Sequence, residues 1–362
     1  MRAYVGGYTT ADRDGRGNGI HVYRIDATSG AWVEEQHVGG LENPSLFTLR
    51  RDNSVLYSVH GARQLVSAFR VDPVSGRLTL LNQVNPGGIN PVDSALNPSE
   101  RFLIVPNYSS GNVAVLPLAA DGALQAVAQV LVLPGTTGPD TAHQQGAMPH
   151  GVIFDPSGKF VIVPDKGRDC VFIFRFDANT GRIALHQMMP ARPGSAPRHC
   201  IFHPQLPVLF VNNELDSTVT VYRWDAAIGA IAPVQIIATA PANFPTRNTT
   251  AEIGVSPDGR NLYVSNRGQD VIAHFAVAAG SGELTLIGHT STGGKTPRFF
   301  ALGAFGGAFG GAFGDAAGVH LFAANQDSDT IIAYRIDPAS GGLTRTGVEI
   351  NVGSPSAISL SP

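Results

Sequence analysis

Seven glycines recur along the chain, each in a polar turn between two β-like segments. They are Gly30, Gly76, Gly122, Gly181, Gly229, Gly282 and Gly341, and successive members are 46 to 59 residues apart. Each follows an aromatic or apolar strand end and precedes a segment that contains Leu, Ile or Trp. A period of ~40 to 50 residues, lengthened by loop insertions, is typical of four-stranded propeller blades. The repeat predicts an all-β, seven-bladed β-propeller that spans residues 1–362 as one domain.

Prolines mark where most of the blades begin. They are Pro44, Pro91, Pro149, Pro197, Pro297 and Pro355, and Thr249 to Ile253 takes this place in the remaining blade. The first blade is predicted to span about Pro44 to Val84. The last blade pairs an inner C-terminal strand with three N-terminal strands, predicted at Ser356 to Leu360, Ala3 to Tyr8, Gly19 to Ile25 and Ala31 to His37. This pairing closes the ring and leaves no long exposed strand edge.

Composition restricts the classes of function. The chain has 42 Gly and 25 Pro, which favours a turn-rich β fold, and its formal net charge is −3 with 15% charged residues. Neither a basic surface for nucleic acid nor a basic membrane-binding helix is predicted. The only cysteines, Cys170 and Cys200, are expected to be buried and reduced. The N-terminus lacks a signal-peptide pattern, and no run approaches the ~18 apolar residues of a membrane span, so a cytoplasmic protein is expected.

Two segments depart from the repeat. Leu133 to Met148 is a polar loop long enough to cover a site. Gly303 to Gly314 repeats Gly-Ala-Phe-Gly three times in the turn between the first two strands of the sixth blade. We interpret this tract as a low-complexity expansion of a surface turn, on the face opposite the predicted site. The alternative is that its phenylalanines cap the ring or contact a partner.

Propeller geometry predicts which polar residues converge. The starts of all first strands and the ends of all second strands surround one mouth of the central channel. Strand starts contribute Asn43, Asn90, His150, Arg198, Glu252 and Arg298. Second-strand ends contribute His60, Asn107, Asp165, Glu214, Arg267 and Asn325. Arginines, carboxylates and a histidine at a concave mouth predict a site for an anionic substrate that needs acid or base assistance.

Simpler roles compete with the catalytic interpretation. His150 could hydrogen-bond only to neighbouring backbone, and Glu214 with Arg267 could form a structural ion pair between blades. The spacing of His143, His199 and His203 matches no metal-binding motif, so no metal site is predicted. Nucleophile-elbow, phosphate-loop and dinucleotide motifs are absent from the sequence, and no cofactor is expected.

The chain resembles the lactonase family of seven-bladed β-propellers, which includes 6-phosphogluconolactonases and a muconate lactonizing enzyme. The resemblance covers essentially the whole chain. The motifs that carry it are Pro197-Arg198-His199, Asn213-Glu214-Leu215, Ser256-Pro257-Asp258-Gly259, Leu262-Tyr263-Val264-Ser265-Asn266-Arg267-Gly268, and Thr296-Pro297-Arg298 with Asn325-Gln326-Asp327. By these motifs, the resemblance implies that His150, Arg198, Glu214 and Arg267 are the catalytic residues.

The resemblance implies a hydrolase that opens a small anionic lactone, with Glu214 or His150 as the base. Arg198 and Arg267 would stabilise the oxyanion and hold the substrate anion. Further substrate contacts are predicted at Asn107, Asp165, Glu252, Arg298 and Gln326. The alternatives are a muconate-type cycloisomerase and a propeller that binds ligands or proteins without catalysis. A monomer is expected, with a dimer as the alternative.

Overall fold

The computed structural model describes residues 1–26, 30–241, 243–304 and 318–361. These residues form 28 β-strands and two short 3₁₀ helices, Ala11–Arg13 and Gln326–Ser328. The described strands assemble into seven antiparallel sheets of four strands, numbered here as blades 1 to 7. The predicted all-β, seven-bladed fold is therefore confirmed. Among the described residues, no helix is long and apolar enough to span a membrane.

The strands follow the chain almost blade by blade. The N-terminal strands of blade 7 are β1 (Arg2–Gly7), β2 (Gly19–Ile25) and β3 (Trp32–Gly39). Blade 1 contains β4 (Pro44–Leu49), β5 (Val55–His60), β6 (Val66–Val71) and β7 (Leu78–Val84). Blade 2 contains β8 (Ala95–Leu96), β9 (Phe102–Asn107), β10 (Asn112–Pro117) and β11 (Gln129–Val132). Blade 3 contains β12 (Ile153–Phe154), β13 (Phe160–Asp165), β14 (Cys170–Phe176) and β15 (Ile183–Pro190).

The second half of the ring has the same order. Blade 4 contains β16 (Pro197–Phe202), β17 (Val208–Asn213), β18 (Thr218–Asp225) and β19 (Ala230–Ala238). Blade 5 contains β20 (Thr249–Val255), β21 (Asn261–Arg267), β22 (Val271–Val277) and β23 (Leu284–Ser291). Blade 6 contains β24 (Pro297–Ala304), β25 (Val319–Asn325), β26 (Thr330–Ile336) and β27 (Leu343–Asn351). The last strand, β28 (Pro355–Ser361), joins blade 7.

The two ends of the chain close the ring. β28 pairs antiparallel with β1, with Ala3 opposite Leu360 and Val5 opposite Ile358. β1 then pairs with β2, so blade 7 combines one C-terminal and three N-terminal strands, as predicted. This arrangement pairs the inner strand of the last blade, which would otherwise expose its backbone donors and acceptors.

The apolar core lies between the blades. The described residues form seven buried hydrophobic clusters, and each combines side chains from two adjacent blades. For example, Phe160 of blade 3 packs edge-on against Trp224 of blade 4, with ring centroids 5.6 Å apart. Burying one large apolar side chain contributes roughly 1.5–3 kcal/mol, so the interfaces hold neighbouring blades firmly. Cys170 and Cys200 are buried in this core, as predicted, and burial raises the pKa of Cys170 to about 12.

The seven repeat glycines are required for two reasons. All seven have positive φ angles between 68° and 88°, which side chains with a Cβ rarely adopt. Most of them also press against the preceding blade. A Cβ on Gly181 would lie 2.2 Å from the Phe102 ring, and one on Gly229 would lie 2.0 Å from the Phe160 ring. The glycine spacing therefore reports blade-to-blade packing as well as turn geometry.

Five inner strands have a β-bulge at the end that lies at the channel mouth. In blade 4, Pro197 pairs with Asn213 but His199 pairs with Asn212, so Arg198 is an extra residue. The same shift follows the opening residues of blades 1, 5, 6 and 7. A bulge increases the local twist and redirects the side chain of the extra residue. The repeat therefore supplies one redirected side chain per bulged blade at the channel mouth.

The tract from Gly303 to Gly314 begins in β24. Beyond Ala304 it lies outside the described residues, which continue from Gly318, just before β25. The ends of β24 and β25 that flank the tract are opposite to the ends where Pro297 pairs with Asn325.

Candidate active site

Two consecutive positions at the second-strand ends have different environments. The first pairs with the opening proline and is occupied by His60, Asn107, Asp165, Asn213 and Asn325, all of which are buried. The residue that follows lies at the mouth, and Tyr108, Lys166, Glu214 and Arg267 line a common cavity there. Side chains on a strand alternate between faces, so a shift of one residue separates a structural position from a site position.

Glu214 lies at the centre of a buried cluster of charges from three blades. Its Oε2 is 2.9 Å from Lys166 Nζ and 3.1 Å from Arg198 Nε, and its Oε1 is 3.1 Å from Arg267 Nη2. The four side chains are only 3% to 15% exposed. Backbone contacts fix the cations, because Arg198 Nη1 donates to the Ala251 carbonyl and Arg267 Nη2 donates to that of Thr250 at 2.8 Å.

Several atoms in this cluster lack a well-aligned hydrogen bond. Within the described chain, Arg198 Nε, Arg267 Nε and Glu214 Oε2 are buried without a hydrogen-bond partner. Arg198 Nε and Glu214 Oε2 are within ion-pair distance, but their geometry does not form a hydrogen bond. Lys166 and Arg198 compensate Glu214 Oε2 electrostatically, whereas an unpaired buried donor such as Arg267 Nε costs about 1–3 kcal/mol and can be satisfied by a polar ligand.

The neighbouring cations determine the protonation state of Glu214. Burial alone would raise the pKa of its carboxyl, but Lys166, Arg267 and Arg198 outweigh burial and hold this pKa well below its ordinary value. Burial and the neighbouring Arg267 lower the pKa of Arg198 to about 10, which leaves the guanidinium charged at neutral pH. Glu214 is therefore an ionised counter-charge for three cations.

His150 lies beside this cluster at the start of the inner strand of blade 3. Its Nδ1 is 3.1 Å from Nε2 of His199, whose Nδ1 is 3.1 Å from Glu252 Oε2. The ring of Tyr108 meets the His150 ring edge-on, with centroids 5.6 Å apart. Burial, followed by the charge of Arg198, lowers the pKa of His150 well below its ordinary value. The imidazole is therefore neutral at physiological pH.

Tyr8 forms the opposite wall of the mouth. Two guanidinium groups lie over its ring, with the Cζ of Arg13 4.4 Å and that of Arg298 5.0 Å from the ring centroid. Burial would raise the pKa of the Tyr8 hydroxyl, but Arg298 and Arg13 reverse this effect and lower it. Cation–π contacts of this kind hold the arginines in place.

These groups line two cavities that share several residues. The mouth cavity of about 180 Å³ is lined by Tyr8, Arg13, Asn90, Val92, Tyr108, His150, Lys166, Glu214, Arg267 and Arg298. A smaller cavity of about 20 Å³, which shares Tyr8, Val92, His150 and Arg298, is also lined by Arg198, His199 and Glu252. Together the described lining carries five Lys and Arg side chains against two Glu. The mouth is therefore a site for an anion.

A larger cleft of about 540 Å³ lies on the opposite face, among the turns of blades 7, 1 and 2. Two of its three arginines already have acidic partners outside the cleft, since Arg2 pairs with Glu35 and Arg50 with Glu100. No histidine lines it among the described residues. Size alone therefore does not make it the better candidate. The described residues also contain no group of three His, Cys, Asp or Glu side chains arranged to hold a metal ion.

The structure brings together His150, Arg198, Glu214, Arg267, Glu252 and Arg298 of the predicted site. The other predicted contacts lie elsewhere. Asn107 donates to Asn112 Oδ1 at 2.8 Å, and Asp165 accepts backbone N–H groups from Met148 and Arg168. Gln326 donates from its side chain to Asp327. These three side chains do not line either cavity.

Sequence reasoning missed Tyr8, Arg13, Tyr108, Lys166 and His199. Tyr8, Tyr108 and Lys166 each follow directly after a second-strand end, which is a signal that was available in the repeat. His199 follows the redirected Arg198 and resembles an ordinary strand residue until Glu252 of the next blade contacts it. Arg13 lies in a 3₁₀ helix outside the repeat and gave no signal.

Comparison with known proteins identifies the family. The family described as "Lactonase, 7-bladed beta-propeller" matches residues 2–360. A 6-phosphogluconolactonase of Bacillus subtilis is 30% identical over 356 residues, which cover 97% of this chain and 96% of the relative. A second 6-phosphogluconolactonase, from Formosa agariphila, is 30% identical over 369 residues and covers 99% of this chain and 98% of its own length.

Two solved structures are similar to this chain over almost its whole length. The periplasmic gluconolactonase of Pseudomonas aeruginosa is 33% identical with a TM-score of 0.86, over 99% of this chain and 98% of that one. A putative 6-phosphogluconolactonase from Bacteroides fragilis is 29% identical with a TM-score of 0.86, over 99% and 97%. The family predicted from the sequence motifs is confirmed: this chain belongs to the lactonase family of seven-bladed β-propellers.

Proposed function

We propose that this protein hydrolyses the ester bond of an anionic, sugar-derived lactone, with 6-phosphogluconolactone as the first substrate to test. The observation that carries the proposal is a neutral histidine, His150, at a cavity lined by more cationic than anionic side chains. Family membership and the names of the relatives support the same reaction class. Guanidinium and ammonium groups favour a substrate that carries a carboxylate or a phosphate.

The geometry favours His150 over Glu214 as the general base. The carboxylate of Glu214 is surrounded by Lys166, Arg198 and Arg267, which hold its pKa well below the range useful for accepting a proton. His150 is neutral, and its Nε2 has no hydrogen-bond partner within the described residues. Anion binding beside the same cations would offset part of their charge and raise the proton affinity of His150.

The reaction then follows from these positions. His150 Nε2 takes a proton from water as the water oxygen attacks the lactone carbonyl carbon. The carbonyl oxygen becomes an oxyanion, which Arg198 and Arg267 are suited to stabilise. Collapse of the tetrahedral intermediate breaks the ring C–O bond, and the leaving alkoxide takes the proton from His150. Lys166 and Arg298 remain to bind the substrate anion, while Glu214 keeps the cations in place.

The test is a direct assay of purified protein. Hydrolysis of 6-phosphogluconolactone or of unphosphorylated gluconolactone, each measured above its spontaneous rate, is the expected result, with faster turnover of the phosphorylated compound. Conversion of carboxymuconate without lactone hydrolysis would overturn the proposal in favour of cyclisation. Lack of turnover with all three compounds would favour a propeller that only binds ligands.

His150→Gln should lower kcat by about 10²–10⁴, the scale for loss of a general base. The melting temperature should change little, because the substituted side chain borders a cavity. A matched control is His186→Gln on the outer strand β15, where His186 contacts the Ile228 carbonyl and lies away from the mouth. Equal turnover per folded molecule in the two variants would exclude His150 as the base.

A further inference from the structure

Three side chains from three adjacent blades form a hydrogen-bonded chain that leads to the mouth. Glu252 of blade 5 contacts His199 of blade 4, and His199 contacts His150 of blade 3. Each residue lies near the start of an inner strand, and His150 and His199 are only 6% and 7% exposed. This series of hydrogen bonds therefore forms only when the three blades are packed together.

The hydrogen-bond partners define the tautomer of His199. Glu252 Oε1 accepts the backbone N–H of Ile253 at 3.1 Å, and both carboxylate oxygens lie within 3.2 Å of His199 Nδ1. A carboxylate only accepts, so His199 Nδ1 carries the proton and Nε2 is unprotonated. Arg198 Nη1, which can only donate, lies 3.2 Å from Nε2 and 3.3 Å from Nδ1 of the same ring, so the Glu252 contact decides the assignment.

The tautomer of His150 follows from that of His199. Since His199 Nε2 is an acceptor, the His150 Nδ1 at 3.1 Å must be the donor. The remaining ring nitrogen, Nε2, then has a free lone pair, and it has no hydrogen-bond partner in the described parts of the chain. His150 borders both the mouth cavity and the smaller cavity.

We propose that Glu252 and His199 are positioning residues that fix His150 as the Nδ1–H tautomer, so that its Nε2 accepts the proton of the attacking water. The inference rests on the lactone hydrolysis proposed above and assigns two residues to it that need not touch the substrate. When His150 gains its second proton, the chain also connects the new imidazolium to the carboxylate of Glu252. A carboxylate that orients a catalytic histidine in this way prevents the unproductive tautomer from forming.

The test is Glu252→Gln, which keeps the shape and removes the charge. The amide oxygen is expected to keep the bond from the Ile253 N–H, which turns the amide NH₂ towards His199 Nδ1. His199 must then carry its proton on Nε2, and His150 must accept through Nδ1 and protonate its own Nε2. We expect kcat to fall by about 10²–10⁴. ¹⁵N NMR of the imidazoles should show His150 change from the Nδ1–H to the Nε2–H form.

The NMR measurement separates this inference from the proposed function. The His150 signals among the 11 histidines are assigned by their loss in His150→Gln. Wild-type protein with the proton on His150 Nε2, or a tautomer that Glu252→Gln leaves unchanged, would overturn the inference. The predicted tautomers without turnover of any lactone would support the positioning chain and refute the proposed function. If Glu252→Gln fails to fold, the wild-type spectrum alone still decides the tautomer.

Glu100→Gln is the matched control. Glu100 is a largely buried carboxylate, with its side chain 17% exposed, and it contacts Arg50 and Arg51 on the opposite face. The same chemical change there should leave both the His150 tautomer and kcat unchanged. A comparable fall in kcat in this control would show that Glu252→Gln acts through general stability rather than through His150.

Discussion

Asp72 and Glu214, which lie at opposite ends of the blades, are stabilised in different ways. On the face opposite the mouth, Asp72 accepts hydrogen bonds from the backbone N–H groups of Val74 and Ser75, two and three residues along its own turn. Asp177 and Asp337 repeat this pattern in blades 3 and 6. At the mouth, Glu214 instead depends on Lys166 and on arginines contributed by other strands and blades.

The Asp72 turn forms from neighbouring residues alone, whereas the contacts of Glu214 form only when several blades pack together. An Asp that accepts from its own turn needs only a few consecutive residues, so every blade can form such a turn independently. The mouth charges come together only when blades 3, 4 and 5 pack, and they are buried when they do. Desolvated charges are costly unless they are well paired, which is why such clusters are typical of functional sites.

The largest effect should come from Glu214→Gln. The substitution leaves three largely buried cations without their counter-charge, which should cost about 3–5 kcal/mol in the free energy of unfolding. It should also lower kcat by about 10² or more, because the cations that bind the substrate lose their positions. Denaturant unfolding and turnover measured on the same preparation test both effects. Reduced stability with unchanged turnover per folded molecule would make Glu214 purely structural, which is the simpler role that the sequence left open.

The pH dependence of stability should have opposite signs at the two ends. Burial raises the pKa of Asp165 from 3.8 to about 7, although three backbone N–H groups and the charge of Arg168 oppose this shift. The folded protein therefore holds this proton more tightly than the unfolded chain, and stability from this group falls as pH rises from about 4 to 7. A shift of this size corresponds to at most about 4 kcal/mol. Asp165→Asn should remove this part of the pH dependence.

Asp177 supplies the comparison. Hydrogen bonds from Asn179 and Thr180 lower the pKa of its carboxyl, so its contribution is present above the ordinary value and disappears as pH falls through the folded value. Asp177→Asn should therefore reduce the dependence of stability on acid pH and leave the range from 5 to 8 unchanged. Melting temperatures of wild type and both variants across pH 3 to 8 give the two slopes. Slopes of the same sign would contradict the contrast between the two faces.

The local features were the ones that the sequence could predict. Turn glycines mark the blades because a positive φ and a close approach to the preceding blade both exclude a Cβ. The predicted first blade, Pro44 to Val84, matches the start of β4 and the end of β7. The sequence could not show in the same way whether Asp165 or Lys166 reaches the channel mouth. Consecutive strand residues face opposite sides, and only the packed blade determines which of the two reaches the mouth.

Shortening the tract from Gly303 to Gly314 should have the smallest effect on turnover and stability. The tract connects β24 to β25. The flanking strand ends lie on the same face as the Asp72 and Asp177 turns, away from His150 and Glu214. Its replacement by a short Asp-Gly turn should leave kcat within about threefold and stability nearly unchanged, because the free-energy cost of closing a surface loop grows only slowly with its length. Steady-state turnover and thermal unfolding of the shortened protein, compared with Glu214→Gln, provide the measurement. If turnover instead falls as far as in Glu214→Gln while the fold survives, the opposite face contributes to function and the division between the two ends of the blades fails.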